Sequence, residues 1–225
     1  MANEDVTYVA VNHTVFPTEG VAEVSALYVD TGTGDGSQPG EAYEIVGRRS
    51  IRVYAHRRVS LSTYFNAFPA SYWQHWTKVR SVRLTATVEG RGLISVYKSS
   101  ARGRASALAS KTFADETVTF DLPITSFIDG GSYWFDIAAG NEDATLVSAE
   151  WQVAAPEGWT AGKTTVGITT FNRPSYCLNQ IVTVGQNEHM HDVLDRVIVV
   201  DQGTDLVQDQ PGFDEAAKGL GDKLE

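Results

Sequence analysis

The feature that most constrains the fold is a series of short segments, between about residues 50 and 153, in which apolar and polar residues alternate. The clearest is 81–88, where apolar side chains occupy every second position: Val82, Leu84, Ala86 and Val88. A strand with this pattern has one buried and one solvent-facing side, as in antiparallel sheets. The pattern therefore predicts a β-rich region.

Turn residues divide this region into many strands. Residues 89–92 predict a turn, and hence a β-hairpin between the strand at 81–88 and another at 93–97. Many short strands at this spacing are typical of a β-sandwich or jelly roll, and no helix is predicted before residue 155. The other predicted strands, each bounded by Gly, Asp, Asn or Pro, are 50–55, 59–64, 106–112, 116–122, 132–138 and 144–153.

The pattern changes after residue 155, where Pro and Gly begin a linker at 156–163. Residues 164–170 then predict a strand. The turn that follows places Pro174 at the first position of a helix, where proline is tolerated. An apolar stripe at 177–184 continues that helix, and Gly185 with its neighbours ends it.

A second strand is predicted at 196–200, because its continuous apolar run is typical of a parallel sheet. A short helix follows at about 213–220. The chain is therefore predicted to contain an antiparallel β-sandwich domain at 1–155 and, at 164–225, an α/β domain that begins with one βαβ unit. One such unit cannot cover its own strands, so we expect this second domain to be truncated.

Composition limits the function classes. Hydrophobic residues make up 42% of the 225, which is enough for a sizeable core, and the net charge of −10 disfavours nucleic acid as the main partner. The single cysteine excludes an intramolecular disulfide. Neither a secretory signal nor an apolar run of about 20 residues is visible, so we expect a cytoplasmic protein with at most peripheral membrane contact.

Charge is segregated along the chain. Residues 1–46 hold eight acids and no Lys or Arg, whereas 48–111 hold 13 of the 18 basic residues and only one acid, Glu89. Nine further acids lie at 112–157. Basic strands that pair with acidic strands would explain this pattern. A basic surface that meets an anionic membrane is the alternative.

Two other segments carry open alternatives. Six aromatic residues lie within 64–76, and they predict either core packing or stacking on a sugar. The glycine-rich stretch 31–40 is predicted to be a flexible loop, although its Gly-Thr-Gly could suggest a phosphate cradle. Cys177 lies on the apolar face of its helix and is predicted to be a small buried residue.

The candidate site lies at the carboxyl ends of the two predicted parallel strands, where ligands bind in open α/β sheets. The start of the following helix favours a phosphate. Arg173 could bind phosphate oxygens there, and the amide of Gln202 suits a base edge or a ribose hydroxyl. The alternative is that Asn172 and Arg173 only cap the helix. The residues at the two strand ends are Thr169, Thr170, Phe171, Arg173, Asp201 and Gln202.

These segments also carry a family resemblance. Residues 166–174 (VGITTFNRP), followed by 197–203 (VIVVDQG), resemble the opening of an inverting family 2 glycosyltransferase of the GT-A type. Residues 62–73 (STYFNAFPASYW) and 127–137 (FIDGGSYWFDI) narrow the resemblance to the polymerising galactofuranosyltransferases of mycobacteria and related actinobacteria. The similarity spans about residues 45–225.

The resemblance implies a β-sandwich followed by a metal-dependent, Rossmann-like GT-A domain that elongates cell-wall galactan. The implied partners are UDP-galactofuranose, a lipid-linked galactan acceptor at the inner membrane face, and further copies in a homo-oligomer. Arg173 and Gln202 match the UDP-sugar-binding positions of the family, with Asp201 beside them, and the backbone at 169–171 would line the uridine pocket. An Asp base and a divalent metal, Mn or Mg, would carry the catalysis.

The family's Asp-rich metal motif, catalytic base and metal-binding His have no counterpart in these 225 residues. We therefore expect no catalytic residue, no metal ligand and no transferase activity in the chain by itself. Two other hypotheses stay open. One is a non-catalytic β-sandwich module that binds glycan or a membrane surface, and the other is an unrelated nucleotide-binding α/β protein.

Overall fold

The computed structural model describes residues 6–17, 25–31 and 42–225. Contacts within the chain divide it into two compact units, Met1–Glu157 and Gly158–Glu225. Most of the glycine-rich stretch, at 32–40, lies outside the described residues.

Twelve strands and four helices make up the described part of the chain. The strands are β1 (Tyr8–His13), β2 (Tyr43–Gly47), β3 (Ser50–Val53), β4 (Arg58–Ser60), β5 (Ser81–Glu89), β6 (Arg91–Ser99), β7 (Ala105–Ala114), β8 (Thr117–Pro123), β9 (Tyr133–Ala139), β10 (Ala144–Ala154), β11 (Thr164–Thr170) and β12 (Leu194–Asp201). The helices are α1 (Ala70–Trp76), α2 (Pro174–Gln186), α3 (Glu188–His191) and α4 (Phe213–Leu220).

The first unit is a β-sandwich, as the alternation predicts. One sheet has the order β2-β3-β10-β5-β8, with β1 also paired to β10, and the other has the order β4-β9-β6-β7. Every pairing in these two sheets is antiparallel. Apolar side chains from both sheets form one continuous core between them.

The predicted hairpin between 81–88 and 93–97 is wrong. β5 pairs with β8 and β10 in one sheet, whereas β6 pairs with β7 and β9 in the other. Between them the chain turns at Gly90, which has a φ of 83°. The physical reason is that each strand has one apolar face. Because the two strands lie in opposite sheets, these faces pack against each other in the core of the sandwich.

The prediction that no helix precedes residue 155 is also wrong. α1 begins after Pro69 and buries Ala70, while Trp73 stacks on Phe68 with ring centroids 5.9 Å apart. Its sequence is rich in aromatic residues, which are poor helix formers, so packing rather than propensity holds it. The predicted strand 59–64 is correspondingly shorter, since β4 ends at Ser60. β1 and β2 were not predicted.

Pairing between strands accounts for part of the charge segregation, in line with the first interpretation. Arg83 Nε on β5 donates to Asp121 Oδ1 on β8 at 2.7 Å, and this contact holds the pKa of Asp121 below its usual value. Arg52 on β3 likewise pairs with Glu44 on β2. Opposite charges on neighbouring strands of one sheet face stabilise that sheet by a few tenths of a kcal/mol to about 1 kcal/mol.

The second unit contains the predicted strand–helix–strand order. β11 and β12 pair in parallel, with Thr170 opposite Asp201, and α2 connects them. Pro174 is the first residue of α2, as predicted. Cys177 and Ile181 of α2 pack with Val197 of β12 and Leu220 of α4 in a small core of their own.

Helices long and apolar enough to cross a bilayer are not found in the described ranges.

Gly92 on β6 provides a test of how tightly the sandwich is packed. An added Cβ would overlap the Ala138 carbonyl oxygen and lie 2.6 Å from Phe113 Cζ. We expect Gly92→Ala to lower the free energy of unfolding by about 1–3 kcal/mol, because neither neighbour can move without disturbing the sheet. Urea titration followed by tryptophan fluorescence measures this.

Gly47→Ala is the matched control, because no described atom lies within 4 Å of its Cβ position. Its unfolding free energy should change by less than about 0.5 kcal/mol. Equal losses in the two variants would contradict the packing assigned to Gly92.

Candidate functional site

The predicted residues at the end of β11 line one open cavity of about 490 Å³. This volume falls in the range of small-molecule sites. The cavity lies where β11 ends and α2 begins. Residues that line it include Thr169, Thr170, Phe171, Arg173, Tyr176 and Cys177.

The end of β12 contributes less directly. The backbone N–H of Gln202 donates to the Thr170 carbonyl at 3.0 Å, so Gln202 lies beside the end of β11, with its side chain exposed. Gln202 is nevertheless outside the set of residues that line the cavity. The parallel pairing therefore brings the two strand ends together, but only the end of β11 forms the cavity wall.

Asp201 lies at the end of β12, as predicted, and engages nearby backbone groups. Its Oδ1 accepts from the Gly203 N–H at 3.1 Å and its Oδ2 accepts from the Val207 N–H at 2.7 Å. It lines a separate cavity with Leu206 and Phe213. The carboxylate thus organises the segment after β12, and the structure does not bring it to the cavity of Thr169 and Arg173.

Arg173 precedes the helix and is exposed. It occupies the N-cap position of α2, yet in the described part of the chain its side chain makes no capping hydrogen bond. The first N–H groups of a helix lack intrahelical partners and carry the positive end of the helix dipole. A free guanidinium and a helix N-terminus therefore lie at one edge of the cavity, and both attract an anion.

Thr170 lines the cavity, and its hydroxyl oxygen is enclosed by the protein. Its Oγ1 is buried and has no hydrogen-bond partner among the described residues. Buried polar groups are nearly always paired, so an unpaired one calls for a ligand or a water. A hydroxyl can both donate and accept, and it therefore suits the polar edge of a base or a ribose.

Asn172, which the sequence suggested only as a possible helix cap, has a different structural role. It adopts the left-handed conformation at φ 51°, and its Oδ1 accepts from the N–H groups of Thr204 at 2.8 Å and Asp205 at 3.1 Å. An added Cβ on Gly203 would lie 2.6 Å from the Asn172 backbone nitrogen. The side chain thus ties the turn after β11 to the turn after β12, instead of capping α2. The only signal in the sequence is the tolerance of Asn for this conformation.

Cys177 faces the cavity but is unsuited to nucleophilic chemistry. Burial raises the pKa of its thiol, and the negative charge of Asp201 raises it further. Because the thiolate is the reactive form, the raised pKa disfavours nucleophilic reaction of this thiol. The prediction of a small buried residue is confirmed.

The donor set for a metal is not present in the described ranges, which contain no cluster of three or more His, Cys, Asp or Glu side chains placed to hold an ion. Asp201, at the end of β12, uses both carboxylate oxygens on backbone N–H groups. No step through a metal is therefore assigned to these residues.

The aromatic cluster 64–76 in the first unit divides into two sets. Phe68 is fully buried and Trp73 is partly buried against the core, as the packing interpretation predicts. The other four are exposed: Tyr64 at 80%, Phe65 at 39%, Tyr72 at 60% and Trp76 at 70%.

Comparison with known proteins identifies relatives of both units. The family model described as "Galactofuranosyltransferase 2 N-terminal" matches residues 11–154. Galactofuranosyltransferase GlfT2 of Mycolicibacterium smegmatis is 36% identical over 207 residues, which cover 90% of this chain and 31% of that protein. Galactofuranosyltransferase GlfT2 of Mycobacterium tuberculosis is 39% identical over 182 residues, which cover 79% of this chain and 28% of that protein. The chain thus spans about a third of the length of these relatives.

Solved structures align more loosely. A mutant of the family 29 carbohydrate binding module CBM29-2 is 15% identical, with a TM-score of 0.30 over 66% of this chain and 91% of that one. The glycosylation-associated Gap123 complex of Streptococcus agalactiae is 12% identical, with a TM-score of 0.35. The alignment covers 95% of this chain and 66% of that one. TM-scores this low carry no conclusion about the present chain.

The contact of Asn172 with the turn after β12 can be tested by hydrogen exchange. In Asn172→Ala the amides of Thr204 and Asp205 lose their acceptor, and a non-glycine residue keeps a strained φ. We expect these two amides to exchange at least tenfold faster, as measured by NMR on the folded protein.

Asn172→Asp retains an acceptor oxygen and should preserve most of the protection. Asn179→Ala removes an exposed amide from the middle of α2 and is the matched control. Unchanged exchange at Thr204 and Asp205 in Asn172→Ala would contradict this role.

Proposed function

The chain belongs to the galactofuranosyltransferase 2 N-terminal family, and we propose that it is the N-terminal part of an inverting, UDP-galactofuranose-dependent transferase that elongates cell-wall galactan on a lipid-linked acceptor. The named relatives support a galactofuranosyltransferase. The identity of the sugar nucleotide and that of the acceptor go beyond the names of these relatives and belong to the proposal.

The observation that carries the proposal is the cavity at the junction of β11 and α2. It combines an exposed guanidinium, a helix N-terminus and a buried unpaired hydroxyl within a few residues. A nucleoside diphosphate needs this combination, because its phosphates are anionic and its base and ribose present neutral polar edges.

Five of the six predicted residues have a role in this proposal. Arg173 binds the diphosphate, together with the first N–H groups of α2. Thr170 Oγ1 meets a polar atom of the uridine or ribose, and the exposed ring of Phe171 offers a face for the base. Gln202 lies beside Thr170, where its exposed amide reaches a ligand that extends past the cavity rim. Asp201 does not bind the nucleotide in this proposal, and its carboxylate holds the turn that carries Gln202.

We propose further that the catalytic base and the ligands for Mn or Mg belong to other parts of the enzyme, and that these 225 residues alone do not transfer galactofuranose. The described residues then supply substrate binding. Incubation of the chain with UDP-galactofuranose and a galactofuranosyl acceptor, beside the M. smegmatis relative as a positive control, tests this. Product formed by the chain alone would refute it.

Arg173→Ala tests the nucleotide site. We expect the dissociation constant for UDP, measured by calorimetry or NMR titration of the chain, to rise by about tenfold or more, because a charge-assisted contact to phosphate is lost. Uridine has no phosphate, so its affinity should be unchanged in the same variant.

Lys218→Ala is the matched control, since it removes one exposed positive charge from α4, outside the cavity. An equal loss of UDP affinity in both variants would indicate that Arg173 acts only through long-range electrostatic attraction. Unchanged UDP affinity in Arg173→Ala would remove Arg173 from the site.

A further inference from the structure

The outer face of the four-stranded sheet in the first unit carries a second group of chemically suggestive residues. A cavity of about 380 Å³ opens there, away from the core between the sheets. Strands β4, β9 and β6 supply most of its wall. The residues that matter are Arg58, Ser60, Ser62, Tyr97, Trp134 and Asp136.

Two aromatic rings stack on each other in this cavity, and we call this pair the aromatic platform. Tyr97 on β6 and Trp134 on β9 are direct partners across the antiparallel pair. Their ring centroids are 5.8 Å apart and their planes differ by only 12°. Both rings are half-buried and line the cavity, and the inner faces of the stack cover each other, so only an outer ring face can meet a ring-shaped ligand.

A charged group is held beside this platform. Arg58 Nε donates to Asp136 Oδ2 at 2.8 Å, its Nη2 contacts the same oxygen, and its guanidinium lies 5.5 Å from the centroid of the Tyr97 ring. The Arg58 side chain is nevertheless 59% exposed. Asp136 thus fixes the orientation of the guanidinium, while part of its N–H fork still faces solvent.

Asp136 is itself unusual. Its side chain is only 3% exposed, and its Oδ1 has no hydrogen-bond partner of ordinary geometry among the described residues. Burial raises the pKa of this carboxyl, although Ser60 and Arg58 beside it favour the ionised form. The exposed guanidinium and the carboxylate that holds it therefore offer a donor and an acceptor side by side in the cavity wall.

The surface next to the platform is flat. Ala107 on β7 lies opposite Tyr97, and Ser95 on β6 bonds Ser110 on β7 through their hydroxyls at 2.9 Å. Nine of the ten β7 residues are exposed, and seven are Ala, Ser or Thr. The β7 residues opposite Tyr97 and Ser95 are small, and among the described residues they leave room for an extended ligand along the sheet.

We propose that this outer face binds an oligosaccharide, with one sugar ring against an outer face of the Tyr97–Trp134 stack and its hydroxyls bonded to the Arg58–Asp136 pair. Sugars combine an apolar ring face with hydroxyls that donate and accept, and stacked rings beside a fixed charged pair meet both needs. The inference does not depend on the nucleotide cavity or on transferase activity.

The charges of the cavity favour a neutral ligand over an anionic one. Arg58 is already paired with Asp136, and the charge of Asp30 nearby adds to the negative side. A phosphate would therefore meet no unbalanced cation. Neutral sugar hydroxyls avoid this cost, because they can donate to the carboxylate and accept from the guanidinium.

The test is titration of the 225-residue chain with two probes, a β-galactofuranosyl hexasaccharide and maltohexaose, followed by calorimetry and tryptophan fluorescence. We expect at least one probe to bind. Trp134→Ala and Tyr97→Ala should each weaken that binding by about tenfold, since each removes half of the platform. Trp134→Phe keeps an aromatic face and should retain most of the affinity even if Trp134→Ala is poorly folded.

Trp76→Ala is the matched control, because it removes a ring that is 70% exposed elsewhere in the same unit. Its affinity should equal that of the unaltered chain. Binding of neither probe at 10 mM would overturn the inference, and so would binding that Trp134→Ala and Tyr97→Ala leave unchanged. Neither outcome would bear on UDP binding, so the nucleotide proposal would stand or fall separately.

Discussion

The rest of the first unit depends on the contact that Trp151 makes between its two sheets. This fully buried indole on β10 packs against Phe68, with ring centroids 5.4 Å apart, and against Tyr133 and Phe135 on β9, each at 6.3 Å. Stacked and edge-on rings at these distances favour one relative placement of the sheets. The contact also holds Phe68 inward, and with it the short helix α1 that follows.

The same contact determines what the outer face presents. Side chains alternate along a strand, so inward Tyr133 and Phe135 require that Trp134 and Asp136 point outward. The candidate saccharide face is therefore the reverse side of the aromatic core. A shift of β9 by one residue would turn Asp136 into the core and expose Phe135. Both changes would destabilise the sandwich, because a charge would be buried among apolar side chains and a large apolar ring would be exposed to water. Core packing and candidate binding face are thus specified by one register.

Part of this structure could be read from the sequence. The period of two between residues 50 and 153 predicts the sandwich strands, and the shift to strand–helix–strand after residue 164 predicts the βαβ unit with Pro174 at the start of its helix. The rule that ligands bind at strand ends places Thr169, Thr170, Phe171 and Arg173 together. All of these predictions rest on local pattern, which the sequence displays directly.

What could not be read depends on contacts between distant segments. Alternation in 81–88 and 93–97 specifies a buried face, but it does not specify whether the two strands pair or face each other. α1 forms because Trp73 meets Phe68, and Asn172 matters because its amide reaches Thr204 and Asp205. Asp201 was expected at the nucleotide, yet nearby backbone N–H groups engage both of its oxygens.

The central claim is that the end of β11 and the start of α2 bind the diphosphate of a sugar nucleotide. Mapping of backbone amide shifts by NMR, during titration of the chain with UDP, tests it most directly. The account predicts that the largest shifts fall on Thr169 to Arg173, on the first turn of α2 and on Gln202. Saturating UDP that leaves these amides unmoved, or that shifts only residues elsewhere in the chain, would contradict it.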